Sequence, residues 1–206
     1  MSPEPIVLNS SDGTRIAGAY YDADQPRGLA LLLHMMPATK ESWSAFAFAL
    51  SARGIASLAI DLRGHGASSG GPEGYKDFSD AEHQAKRLDV EAALDWLRAK
   101  GPAPLLVVGA SIGANLAIRA AAEHPDILAC LALSPGLDYH GVTTADAMGG
   151  LRDGQHFLIV ASGEDAEAAA CADAAEKTPP RAKREIRRLD HAGHGTRMFD
   201  GAPGLL

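Results

Sequence analysis

The chain has 206 residues, 46% of them hydrophobic and 22% charged, with a formal net charge of −7; this balance excludes a disordered polymer and leaves room for one ordinary core. The acidic surplus gives no electrostatic footprint for nucleic acid, and the one basic run, Arg181–Arg188, is interrupted by Glu185 and Ile186 and reads as the solvated flank of a strand. Cys130 and Cys171 lack CxxC spacing, so neither a disulfide scaffold nor a zinc site is expected, and no apolar run reaches the roughly 18 residues of a membrane span. With no apolar signal-peptide core at the start, the expected setting is the cytoplasm.

Two short β-type stretches open the chain, Ile6–Ser10 and Thr14–Tyr21, joined at Asp12-Gly13. The next strand candidates are continuous apolar runs, which suit strands buried on both faces of a helix-covered parallel sheet. They are Leu29–His34, Ile55–Ile60, Leu105–Gly109, Leu128–Leu133 and Phe157–Ala161, with the more polar Lys183–Leu189 as an edge strand. Helical signals lie between them. Glu41–Arg53 carries Trp43, Phe46 and Leu50 on one face, and Asp77–Lys100 carries Leu88, Ala92 and Trp96 at spacing four. Ile112–Glu123 and Asp165–Glu176 are rich in alanine. Alternating strands and helices without a dividing linker predict one α/β domain over 1–206.

The pattern G-x-S-x-G occurs twice, at Gly109–Gly113 and at Gly66–Gly70. Context separates them. Ser111 follows a buried strand and opens a helix, an elbow that exposes its Oγ beside free backbone N–H groups. Ser68 sits in a glycine-rich loop with no helix directly after it, and a flexible loop is expected there. A serine nucleophile needs an imidazole held by a carboxylate.

Together these segments resemble the α/β-hydrolase family over essentially the whole chain, in a small dienelactone-hydrolase-like esterase form. Leu31–His34 resembles the strand before the oxyanion loop, and Asp61-Leu62-Arg63-Gly64-His65-Gly66-Ala67-Ser68 resembles the D-x-R-G-x-G-x-S loop. The resemblance implies a three-layer α/β/α sandwich with a mostly parallel sheet of about eight strands. It also implies no cap domain between the sixth and seventh main strands, and a stunted last helix. His194, before Gly195-Thr196, matches the family's histidine better than His191 does, and a metal site at that pair is not expected. Asp165, in Ala161–Asp165, matches the acid, with Glu164 and Asp138 as alternatives. The oxyanion donors implied are the backbone N–H groups of Ile112 and Met36, with Met35 as a second option, since His34-Met35-Met36 replaces the common His-Gly. Met35, Tyr139 and His140 are expected to line the substrate site. The function implied is hydrolysis of a small-molecule carboxylic ester or thioester through an acyl-enzyme, without cofactor, nucleic acid or membrane partner. The same parts serve peptidases, lactonases and acyltransferases, and a non-catalytic binding protein on this fold is the competing class.

Overall fold

The computed structural model describes residues 2–179 and 181–205. Ten strands form: β1 Glu4–Asn9, β2 Arg15–Tyr21, β3 Gly28–Leu33, β4 Ile55–Ile60, β5 Leu105–Ala110, β6 Ile127–Leu133, β7 Asp138–Tyr139, β8 Val142–Thr143, β9 His156–Ser162 and β10 Lys183–Leu189. Eight make one sheet in the order β1-β2-β4-β3-β5-β6-β9-β10, while β7 and β8 pair as a small hairpin. Only β2 runs against the others in that sheet. The fold is therefore the expected mostly parallel α/β sandwich, with β10 at one edge.

Continuous apolar strands serve two layers at once. Leu29, Leu31 and Leu33 of β3 face one core, and Ala30 and Leu32 face the other. The first core is covered by α3 (Arg87–Arg98), α4 (Ile112–Glu123) and α6 (Ala166–Lys177). The second is covered by α1 (Ser44–Ala52) and α7 (Met198–Gly201), through Trp43, Phe46, Ala47 and Met198. α2 (Asp80–Gln84) and α5 (Ala145–Met148) are single short helices. The segment between β6 and β9 holds the β7–β8 hairpin and α5, and the chain after α7 makes one 3-10 turn, Pro203–Leu205. No helix among the described residues is long and apolar enough to cross a membrane.

The helix expected over Asp77–Lys100 is broken. A Ser79–Glu82 capping box starts α2, and the chain then tightens through i→i+3 bonds from Lys86 to His83, Leu88 to Ala85 and Asp89 to Lys86. The break also changes which face is buried. Val90, Ala93, Leu94 and Leu97 enter the core, while Leu88, Ala92 and Trp96 stay only partly covered. Lys86 and Asp89 extend the buried face, each fully inaccessible to water.

The loop after β4 shows why its motif has those residues. Asp61 accepts from the Lys40 and Ala67 backbone N–H groups and from Lys40 Nζ at 2.7 to 2.9 Å. A side chain on Gly66 would collide with that carboxylate, so only glycine closes the turn. Arg63 reaches Asp89 with Nε and Nη2 and Asp12 with Nη1, while Ser10 Oγ donates to Asp89. Ser68 does not lie in the flexible loop expected of it: it is buried, accepting from the Ala17 N–H and donating to the Asp61 carbonyl. Its hydroxyl joins the loop to β2. Asp89→Ala would leave the buried Arg63 with only the half-exposed Asp12 as its partner, so it should cost about 3 kcal/mol. Urea unfolding checks this, and a loss under about 1 kcal/mol would contradict it.

Candidate active site

β3 lies between β4 and β5. The chain leaves β3 toward α1 on one face of the sheet and leaves β5 toward α4 on the other. Loops that part in this way open a crevice at the carboxyl ends of the strands. Ser111 stands there, between β5 and α4, with φ 55° and ψ −124°. This left-handed backbone strains a residue with a side chain. The surroundings impose it: Ser111 N–H donates to the Leu133 carbonyl, and its own carbonyl accepts from Ala114 and Asn115. Close packing completes the elbow. A Cβ on Gly109 would meet the Gly113 carbonyl oxygen at 2.0 Å, and one on Gly113 would meet that of Leu33 at 2.3 Å. Both flanking glycines are therefore required by contact.

His194 and Asp165 meet. His194 Nδ1 donates to Asp165 Oδ2 at 2.6 Å, and Asp165 also caps α6 by accepting from Ala168 N–H. The alternatives are occupied elsewhere. Asp138 accepts from Gly141 N–H within the β7–β8 hairpin. Glu164 accepts from His191 Nδ1 and from Gly193 N–H, and His191 projects into solvent. Among the described residues no hydrogen bond of 3.5 Å or less joins Ser111 Oγ to His194, a separation common in enzymes without substrate.

The loop that carries His194 is held by side chains at the carboxyl ends of two strands. Ala192 N–H donates to Ser162 Oγ, Gly193 N–H to Glu164 Oε1 and Gly195 N–H to Ser134 Oγ, at 2.8 to 3.0 Å. Ser134 directly follows Leu133, the residue whose carbonyl anchors Ser111. One strand end thus positions both the nucleophile elbow and the histidine loop. Sequence reading missed Ser134 and Ser162. A buried strand that ends in a serine, as in Leu133-Ser134 and Ala161-Ser162, was the available signal.

The two methionines after β3 separate. Met35 packs on the second core, with its sulfur against Gly195, whereas Met36 faces the first core and its sulfur lies 3.7 Å from Lys86 Nζ. His34 steadies the turn between them: Nε2 accepts from Leu62 N–H, so Nδ1 carries the proton and donates to the Met35 carbonyl. Tyr139 lays its ring against Gly136, with its hydroxyl 3.5 Å from the Ser134 carbonyl. Burial, helped by the charges of Asp165 and Glu167, pushes that hydroxyl up, while the Ser111 hydroxyl pulls the other way. Tyr139 therefore stands close to Ser111 and Asp165. His140 is exposed, stacks on His83 at 4.1 Å and faces Asp80 at 3.4 Å.

Residues 24–152 match the family model described as serine aminopeptidase, S33. The chain belongs to this α/β-hydrolase family. The matched stretch contains Ser111 and ends before Asp165 and His194. An uncharacterized protein of Rickettsia prowazekii is 32% identical over 139 residues, 63% of this chain and 54% of that protein. Mouse protein phosphatase methylesterase 1 is 28% identical over 160 residues, 76% of this chain and 38% of its own length. The chain thus spans about half or less of these relatives. A Pyrococcus furiosus esterase superposes with a TM-score of 0.74 at 18% identity, covering 98% of this chain and 88% of that one, which shows a shared fold.

Burial pulls the imidazole pKa of His34 down to about 4 and that of His65 to about 3, from an ordinary 6.5. Both rings stay neutral in the fold and take up protons near pH 6.5 once unfolded. Stability is then full above that pH and falls as pH drops toward 4. Between about pH 7.5 and pH 5 His34 alone should cost on the order of 2 kcal/mol, with His65 adding in the same direction. Urea unfolding at the two pH values measures this, and an unchanged stability would contradict it.

Proposed function

We propose that this protein is a serine hydrolase cleaving a small carboxylic ester or thioester through an acyl-enzyme, without cofactor. The observation that carries the reading is the strained Ser111 elbow sharing one strand end, Leu133-Ser134, with the loop that bears the His194–Asp165 pair. Two of the similar proteins carry esterase names, which supports ester chemistry here.

In this mechanism Ser111 Oγ attacks the ester carbonyl and passes its proton to His194 Nε2. Asp165 holds the Nδ1 proton, keeps Nε2 free to act as base, and stabilises the imidazolium that forms. The developing oxyanion is received by the N–H of Ile112, at the start of α4, and by that of Met36 in the loop steadied by His34. Collapse returns the proton from His194 to the leaving alkoxide or thiolate, and water then repeats the sequence to release the acid. Met35 and Tyr139 border the reacting atoms, from the histidine and the serine side respectively. An amide could be cut by the same steps, as the family description would have it, and a substrate series decides between them.

Reaction of the folded protein with a fluorophosphonate, followed by peptide mapping, should give a single adduct on Ser111. Ser111→Ala should abolish labelling and lower ester turnover by a factor on the order of a thousand or more. Asp165→Asn should leave the fold intact and lower kcat at least about a hundredfold. Labelling at another serine, or undiminished turnover in Ser111→Ala, would overturn the assignment.

A further inference from the structure

Lys86 is a cation in an unusual place. Its side chain is fully buried, and its Nζ donates to His83 Nδ1 at 2.9 Å and touches Met36 Sδ at 3.7 Å. Among the described residues no carboxylate lies within 4 Å of it. Asp89, whose field it feels, is already taken by the Nε, Nη2 and backbone N–H of Arg63 and by the Ser10 hydroxyl. Burial brings the ammonium down to about 7. A leucine or methionine would fill the same space without that penalty, so packing alone does not call for a lysine there.

The surroundings tie this amine to the reaction centre. In the turn after β3, Met35 packs beside His194's neighbour Gly195 and Met36 covers Lys86. In the β7–β8 hairpin, Tyr139 borders Ser111 and His140 stacks on His83, the ring that binds Lys86. Each of two adjacent residue pairs therefore has one member on the triad and the other on the Lys86 group. At the rim His140 already faces Asp80 at 3.4 Å, so Lys86 is the cation of this group left without a carboxylate. Met36 is half-buried, and its unbranched thioether is the most readily rotated of the groups around the amine, which also include His83 and the Phe78 ring.

We propose that Lys86, beneath Met36 and flanked by the His83–His140 stack, binds an anionic group on the acyl part of the substrate, so that the preferred esters are monoesters of short dicarboxylic acids. This rests on the serine-hydrolase reading and names its substrate class. The carboxylate takes the unused N–H donors of Lys86 and pairs a charge that the fold leaves unpaired. The energy of that pairing appears only when substrate is bound, and so serves recognition.

The test compares p-nitrophenyl butyrate with the mono-p-nitrophenyl ester of glutaric acid, which continues the same chain into a free carboxylate. The wild-type protein should favour the glutarate ester about tenfold or more in kcat/KM, and Lys86→Met should reduce that ratio toward unity. The ratio is insensitive to any loss of active protein, and a thermal melt reports whether the variant folds. Lys86→Arg, which keeps a cation, should retain part of the preference. A wild-type protein without preference, or a preference that survives Lys86→Met, overturns the proposal while leaving ester hydrolysis standing. If neither ester is turned over and Ser111 takes no fluorophosphonate, the hydrolase reading fails on its own. Binding then still decides the subsite. Monomethyl glutarate should raise the melting temperature of Ser111→Ala and not that of Ser111→Ala with Lys86→Met; equal shifts, or none, overturn it.

Discussion

Everything at the carboxyl edge of this sheet depends on one close approach, that of α4 to the end of β3 and β5. The Gly113 Cα comes so near the Leu33 and His34 carbonyls that no side chain fits, and Gly109 is pressed in turn by the Gly113 backbone. That proximity forces Ser111 into a left-handed conformation and aims the first turn of α4 at the space above β3. A looser packing would relax the serine and separate it from the turn after β3. Strain at one residue is tolerated because many backbone contacts around it are favourable.

The buried polar groups nearby have a common logic. Asp61, Arg63, Ser68 and Asp89 look, as side chains, like reactive equipment, yet each is consumed in holding the loop after β4. His34 does the same for the turn after β3. Unpartnered buried polar atoms are few among the described residues: Trp43 Nε1, Ser57 Oγ and His65 Nε2 have no hydrogen-bond partner, and Lys86 Nζ has only His83 Nδ1 and Met36 Sδ. Unused hydrogen-bonding capacity inside a fold is costly, which is why its location carries information.

Much of this was legible in the amino-acid order. Leu105–Ala110 is apolar without alternation, and Gly109 and Gly113 bracket the serine, so strand, elbow and helix could be read directly. Asp165 and His194 were singled out by the family resemblance, over Glu164, Asp138 and His191. The division of Asp77–Lys100 into two helices was hidden, because it is made by three i→i+3 bonds rather than by a proline or glycine. With that turn unseen, the expected stripe of Leu88, Ala92 and Trp96 was offset from the most deeply buried residues, Val90, Ala93, Leu94 and Leu97. Ser134 and Ser162 were equally opaque. Their partners lie 61 and 30 residues away, and only the sheet order brings them together.

The way the histidine loop is fastened has a consequence for motion. Irregular segments at a protein surface ordinarily fluctuate on their own, faster than the strands they join. Here three amides of residues 192–195 are secured to Ser134, Ser162 and Glu164, at or within two residues of the ends of β6 and β9, strands in the half of the sheet away from β1. To swing His194 away, the segment must first release itself from those two strand ends. The His194 ring therefore shares the timescale of the sheet, and its place beside Asp165 persists through fluctuations that would misplace a residue on a free loop.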